Sequence, residues 1–304
     1  MKITVVLNGI SLEKKFFYHE IFPVLNNICE TEVFETASRH DAVTLASKAV
    51  ERRADLILSA GGDGTLFQVL NGVLTGRERH HDLPLLGLIP LGSGNDFGRT
   101  IGASQDTDVL VQMLKDQHTR ELNVGKVHFT SDAGAMEERY FINVADVGMG
   151  PEVVRKVLRS GRPFGSGVAY YKSILSTFFT YRMMAVEAKS QDWSWKNKVR
   201  TFAVANGKYY GHGLCIAPDA IPDDDQFEVF ACADVSIFDF IIQSGPLKKG
   251  LRVKHPKVSY LKTSSVELTS SSPCAIEADG EWLGWLPAKI EFAPTKVKFL
   301  IPPP

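Results

Sequence analysis

The stretch Asp55-Leu56-Ile57-Leu58-Ser59-Ala60-Gly61-Gly62-Asp63-Gly64-Thr65, followed at once by Leu66, Val69, Leu70 and Val73, decides the fold. Its apolar run reads as a buried strand and the four later residues recur at helical spacing, so the glycines fall at a strand-to-helix junction. There they let backbone N–H groups approach a bound anion closely, and the helix start adds partial positive charge aimed at the same place. Phosphate is the ligand that suits this arrangement. An aspartate in such a loop repels phosphate unless a divalent cation lies between them or a backbone turn uses its side chain. We read Asp63 as linked to Mg2+, directly or through water, with a helix cap as the alternative.

On the N-terminal side of this loop, residues 3–7 read as a strand, 12–28 as helix and 32–34 as a short strand. Ser38 followed by Asp41 resembles a helix start, and Ala42, Leu45, Ala46, Ala49 and Val50 form one apolar stripe behind it. Beyond the loop, residues 85–89 form a second buried-type strand. This βαβα order predicts an α/β fold, a doubly wound and mostly parallel sheet with its sites at the carboxyl ends of the strands. From about Leu122 the texture changes to strands and turns, at 124–129, 140–147, 184–188, 199–205, 227–231, 266–269, 274–278 and 288–292. That spacing suits an all-β antiparallel sandwich, interrupted by helices near 168–181 and 236–244. Two domains are expected, 1–122 and 123–293, with the segment 294–304 a candidate to complete the first.

Composition excludes several classes. A formal net charge of −1 over 304 residues provides no overall field for a polyanion, so nucleic acid is not an expected partner. Cys29, Cys215, Cys232 and Cys274 are scattered without the spacing of a zinc or redox site, which fits reduced thiols in a cytosol. Met1-Lys2 runs straight into the first strand, so we expect no signal peptide and no transmembrane segment, and a cytoplasmic protein that can still touch the inner face of a membrane. No G-x-x-x-x-G-K-[ST] loop, H-E-x-x-H helix or G-x-S-x-G turn occurs, and Phe97 stands where a dinucleotide fingerprint needs its third glycine.

A second glycine loop, Pro90-Leu91-Gly92-Ser93-Gly94-Asn95-Asp96-Phe97, follows the next strand and should lie beside the first. Two such loops can hold one polyphosphate chain: Gly92 and Gly94 open the backbone, Ser93 offers a hydroxyl, and Asp96 can join Asp63 around a cation. With these motifs the sequence resembles the soluble diacylglycerol kinase catalytic-domain family, which includes bacterial lipid kinases and, more distantly, sphingosine kinases. The resemblance spans almost the whole chain, taking in residues 143–148, Asn206-Gly207 with Gly211 and Gly213, Ala217-Pro218-Asp219-Ala220 and Ala278-Asp279-Gly280-Glu281.

The resemblance implies an ATP-dependent lipid kinase with its nucleotide at the domain cleft and a lipid substrate at a membrane surface. It assigns the nucleotide to Gly61, Gly62, Asp63, Gly64, Thr65, Gly92, Ser93, Gly94, Asn95 and Asp96, with Asn8 and Thr36 at its border. The family's general base falls on Asp279. A lipid hydroxyl is a poor nucleophile and needs a carboxylate to take its proton. Glu281 would share a strand face with Asp279 if the segment stays extended, and would tune the base or bind metal. An Asp-Gly pair also favours a type I′ hairpin turn, which is the bland alternative. A family loop for a structural Mg2+ transfers to the carbonyls of Ile221 and Gln226 and the carboxylate of Asp224, although Asp225 stands where the family carries glycine. Phe67-Gln68 also departs from the family's Asn-Glu, and the Asn-Pro-x-x-Gly pattern near the first strand is missing.

Tyr170, Tyr171, Ile174, Leu175, Phe178 and Phe179 lie at helical spacing after a glycine-rich entry at 161–167; core is the favoured reading and an acyl groove the alternative. Lys248, Lys249, Arg252, Lys254, His255 and Lys257 form the densest basic stretch, a solvated loop or a contact for anionic headgroups. His80-His81 lacks a partner ligand. An NAD kinase shares the first loop but would carry an Asn-Glu dipeptide, which this chain lacks; a nucleotide- or lipid-binding protein without catalysis is the other alternative. Oligomeric state is left open, a homodimer among the possibilities.

Overall fold

Apolar runs pair edge to edge in the first part of the chain, in a computed structural model that describes residues 1–76, 83–159 and 167–303. His80-His81 and residues 161–166 of the glycine-rich entry lie outside the described residues. The chain divides into two compact units, Met1–Leu122 with Thr295–Pro304, and Asn123–Pro294.

In the first unit β1 (Lys2–Leu7), β2 (Glu30–Glu35), β3 (Leu56–Gly61) and β4 (Leu85–Pro90) are all parallel. The C-terminal strand Val297–Leu300 adds in parallel to β4, and β5 (Thr119–Leu122) closes the edge antiparallel, giving the order β2-β1-β3-β4-C-terminal strand-β5. Crossovers are α1 (Lys14–Phe16), a π-helical turn Phe17–Ile21 and α2 (Phe22–Ile28), then α3 (Asp41–Glu51) and α4 (Asp63–Gly76). Short helices α5 (Asp96–Ile101) and α6 (Thr107–Asp116) follow β4. Strands β3 and β4 are buried almost throughout, as expected for a sheet covered on both faces. Helix α3 starts at Asp41 rather than at Ser38, because the Asp41 carboxylate itself accepts the N–H groups of Ala37 and Ser38, at 2.8 and 2.6 Å.

The second unit is built on one antiparallel sheet. Its first elements are β6 (Gly125–Thr130), β7 (Met136–Phe141), β8 (Val144–Gly148), α7 (Met149–Arg159) and α8 (Gly167–Thr180). Then come β9 (Met184–Lys189), β10 (Ser194–Val199), β11 (Thr201–Ala205), the small pair β12 (Tyr209–Tyr210) and β13 (Leu214–Cys215), and β14 (Phe227–Cys232). Helix α9 (Ile237–Lys248), β15 (Val258–Thr263), β16 (Ser265–Ser270), β17 (Ala275–Ala278) and β18 (Glu281–Phe292) complete it. The order is β10-β9-β16-β18-β17-β8-β11-β14-β15, and the long β18 also pairs with β6, so the sheet splays into the two leaves of a sandwich.

Three sequence expectations change here. Residues 140–147 are two strands broken at Ile142 and Asn143, whose N–H groups leave the ladder for the Asp279 carboxylate. Strands β10 and β15 escaped notice because half or more of their positions are charged or polar, and helix α7 is an addition to the two helices expected. Tyr170, Ile174 and Phe178 of α8 are buried in a core shared with Val144, Ala203 and Phe230, whereas Tyr171 and Leu175 are half-buried and Phe179 is exposed, so packing accounts for one side of that stripe. Among the described residues no helix is long and apolar enough to cross a membrane.

Candidate functional site

Parallel pairing sets the carboxyl ends of β1 to β4 along one edge of the first sheet, with Leu7 beside Ala60 and Gly61 beside Pro90. The turns that leave these strands are therefore brought together. The Gly62 carbonyl accepts the N–H groups of Thr65 and Leu66 at 3.0 and 3.1 Å, so α4 starts immediately and the expected loop shrinks to one residue. Asp63, Gly64 and Thr65 form the first helical turn, where the N–H groups at the open end of α4 are a natural anion site.

The two glycine turns touch through their backbones. A Cβ on Gly92 would lie 2.3 Å from the Gly62 Cα, so a side chain at this joint would force the strands apart. The Leu91 N–H donates to the Gly61 carbonyl at 2.9 Å. Asp63 reaches across the same joint: its Oδ2 and Oδ1 accept the N–H groups of Asp96 and Phe97, at 3.0 and 3.1 Å, and so cap α5. Its carboxylate fastens one glycine turn to the other.

Asn95 is likewise part of the scaffold. It takes a left-handed conformation, φ 51°, its Oδ1 accepts the Gly92 N–H at 3.0 Å, and its Nδ2 donates to the carbonyls of Pro90 and Gly92. Ser93 is exposed at the tip of the turn, Gly94 is buried, and Asp96 is buried at the first position of α5. At the end of β1 the Asn8 side chain accepts the Ile10 N–H at 3.3 Å, and the Thr36 hydroxyl accepts the Gly9 N–H at 3.0 Å. Ser11 Oγ then donates to the Leu91 carbonyl, which ties this turn to the second glycine turn. Among the described residues no group of three or more His, Cys, Asp or Glu is placed to hold a metal ion.

In the second unit Asp279 and Gly280 both have positive φ, 51° and 81°, the type I′ geometry of a two-residue hairpin between β17 and β18. The chain reverses there, so Glu281 pairs across the turn with Ala278 and does not share an extended face with Asp279, contrary to expectation. The Asp279 carboxylate accepts three backbone N–H groups: Ile142 on Oδ2 at 2.9 Å, and Asn143 and Val144 on Oδ1 at 3.0 and 2.9 Å. It is also buried. A general base must turn a lone pair to the substrate hydroxyl. The Asp279 carboxylate anchors the β7–β8 break through these bonds, while Glu281 is partly exposed at the turn.

Other motifs gather around that anchor. Asn206 Nδ2 donates to the carbonyls of Asn123 and Ile142, and Asn143 Nδ2 to that of Tyr209. Beneath them sits a pair the sequence reading missed: Asp146 on β8 faces Glu277 on β17 directly across the ladder, both fully buried. Burial pushes the Asp146 carboxyl well above the usual carboxylate range, and burial together with the neighbouring Asp146 does the same to Glu277. Tyr210 donates to Asp146 Oδ2 at 3.2 Å, and the Gly280 N–H to Glu277 Oε2 at 2.8 Å. A single acid inside an otherwise apolar strand, Val144-Ala145-Asp146-Val147 or Ala275-Ile276-Glu277-Ala278, was the available signal.

Raised native values mean the folded state holds protons that the unfolded chain releases above about pH 4. Stability is therefore complete at low pH and falls as pH rises through the native values, by up to about 1.4 kcal/mol per pH unit for each such proton. The double variant Asp146→Asn/Glu277→Gln is expected to flatten this dependence. Urea unfolding across about pH 5 to 8 checks it, and a wild-type slope retained in the variant would refute it.

The proposed metal loop is closed and oxygen-lined. The Ile221 carbonyl accepts the Asp224 N–H at 3.3 Å and Asp224 Oδ1 accepts the Gln226 N–H at 3.0 Å. Asp225 occupies the left-handed region, φ 59°, a conformation that glycine adopts without strain, and Asn123 holds its backbone and side chain at 3.2 and 2.6 Å. Lys262 Nζ lies 4.0 Å from Asp224 Oδ2.

Comparison with known proteins matches residues 2–127 to the diacylglycerol kinase catalytic domain and residues 143–301 to the YegS C-terminal NAD kinase beta sandwich-like domain. The diacylglycerol kinase of Staphylococcus haemolyticus strain JCSC1435 is 29% identical over 259 residues, covering 85% of this chain and 74% of that protein. That of Bacillus subtilis strain 168 is 28% identical over 260 residues, covering 86% and 82%. A crystal structure of a diacylglycerol kinase from Bacillus anthracis strain Sterne superposes with a TM-score of 0.72 at 18% identity, covering 99% of this chain and 97% of that one, which shows a shared fold. With both halves matched in order, the chain belongs to the diacylglycerol kinase catalytic-domain family.

Proposed function

We propose that the protein is an ATP-dependent lipid kinase that transfers the γ-phosphate of ATP to a hydroxyl of diacylglycerol or a related lipid. The observation that carries this reading is the joint of two glycine turns at the ends of β3 and β4, fastened by Asp63, in a chain of this family. The first unit binds the triphosphate through N–H groups of the turns and of the α4 start, with Asn8 and Thr36 at the border and Ser93 as a hydroxyl donor. Mg2+ enters as part of the ATP complex, as substrate. In the second unit Glu281 accepts the proton and Asp279 fixes the turn that carries it. The lipid oxygen attacks the γ-phosphorus, the bond to the β-phosphate oxygen breaks, ADP leaves, and the hydroxyl proton passes to the Glu281 carboxylate. The carbonyls of Ile221 and Gln226 and the Asp224 carboxylate are the oxygens that would hold a structural Mg2+, which would brace their loop.

Incubation with labelled ATP, Mg2+ and a total lipid extract, with NAD as a parallel acceptor, tests the assignment. A labelled lipid phosphate supports it. Label in NAD alone would establish an NAD kinase activity instead, and ATP binding without any labelled product a non-catalytic binding protein.

A further inference from the structure

Helix α9, Ile-Phe-Asp-Phe-Ile-Ile-Gln-Ser-Gly-Pro-Leu-Lys, is apolar on two sides. Inward, Phe240 stacks on Tyr171 with centroids 5.9 Å apart, lies 5.8 Å from Phe178, and Leu247 is buried. Outward, Phe238, Ile241 and Ile242 are 73%, 49% and 67% exposed, and Leu251 just past the helix is 56% exposed. Phe238, Ile241, Ile242 and Gly245 follow the i, i+3, i+4, i+7 pattern of a single stripe, and Lys249, eleven residues after Phe238, ends that same stripe. A Cβ on Gly245 would meet nothing, so the ridge is open along its length. The helix is well made: Ser236 and Asp239 form a reciprocal capping box. Exposure of this ridge is therefore a property of an ordered element.

Charge around the ridge is one-sided. Residues 236–257 carry five Lys or Arg and one acid, in a chain whose net charge is −1. Arg252 is held by Asp219 and Glu228, and Lys257 Nζ donates to the Asp234 carbonyl, so these two brace the loop. Lys248, whose Nζ lies 5.8 Å from the Tyr171 ring centroid, and Lys249 are exposed at the end of the helix, and Lys254 is exposed in the segment that follows. An apolar ridge rimmed by lysines is what an anionic bilayer surface takes up: the rings and branched chains enter the headgroup boundary and the ammonium groups meet lipid phosphates. A ridge of three large side chains is small against the roughly 20–30 residues a side of a stable protein interface.

We propose that α9 with Leu251 seats the protein on an anionic membrane, with Lys248, Lys249 and Lys254 setting the preference for negative lipid. The purpose of this seat rests on the lipid-kinase reading; the binding itself does not. Cosedimentation of the full chain with vesicles of phosphatidylcholine, with and without phosphatidylglycerol, measures it. Wild type is expected to bind the anionic vesicles and to release them at high salt. The variant Phe238→Ser/Ile241→Ser/Ile242→Ser is expected to bind at least about tenfold more weakly. The variant Lys248→Gln/Lys249→Gln/Lys254→Gln is expected to lose about fivefold per lysine in the preference for anionic vesicles. Both should phosphorylate a short-chain diacylglycerol in detergent micelles at the wild-type rate. Wild type that ignores anionic vesicles, variants that bind them like wild type, or a dimer dissociated by the serine variant in sedimentation velocity would each overturn the proposal. Vesicle binding as described with no micellar substrate phosphorylated by any form would instead remove the kinase reading and leave the seat standing.

Discussion

Glu281→Gln is expected to lower kcat for lipid phosphorylation by about 10²- to 10⁴-fold, the range a positioned general base supplies, with ATP affinity and the unfolding midpoint unchanged. Glutamine preserves the shape of the side chain at the first position of β18 and its pairing opposite Ala278, but it cannot take a proton. The loss should therefore fall on kcat at saturating ATP and lipid, without a matching rise in KM. Steady-state kinetics together with a nucleotide titration checks this. Wild-type turnover in the variant would move the proton acceptor elsewhere.

Asp279→Ala is expected to act first on stability. It leaves the N–H groups of Ile142, Asn143 and Val144 buried without their acceptor. Each orphaned group costs about 1–3 kcal/mol, and three in one nest should total about 3–9 kcal/mol, a large share of the roughly 5–15 kcal/mol that holds a domain folded. Asparagine is the milder test. Its Oδ1 can keep the N–H groups of Asn143 and Val144, while its Nδ2 would face the Ile142 N–H donor to donor, so an intermediate loss is expected. Urea unfolding of the two variants distinguishes this anchor from a catalytic group: Asp279→Ala with a wild-type midpoint and no turnover would return the base to Asp279.

Much of the first unit was legible because its signals are local. Strand-glycine-helix junctions announce themselves, and parallel pairing then brings the turns together without further information. The tasks of individual side chains were less legible. Nothing near Asp63 in sequence says that its carboxylate will be taken by the N–H groups of Asp96 and Phe97, thirty-three and thirty-four residues later. The backbone partners of Asp279 are just as remote, 135 to 137 residues upstream. The hairpin reading of Asp279-Gly280 was available from the dipeptide alone, and the backbone adopts it. Asp146 and Glu277 escaped because each looks like an ordinary strand residue until the ladder sets them opposite one another. At Asp225, by contrast, a departure from the family pattern was visible, and its left-handed φ with the Asn123 clamp shows how an aspartate fills a glycine's place.

The strand Val297–Leu300 lies between β4 and β5, although nearly three hundred residues separate it from β1. A chain emerging from the ribosome must make the entire antiparallel unit before the parallel sheet can be finished. Until Val297–Leu300 appears, β4 presents a bare edge of unpaired amides, an invitation to wrong partners. The sheet that carries the glycine turns is thus begun before the antiparallel unit and completed after it, which makes the seating of Val297–Leu300 a late checkpoint in its folding.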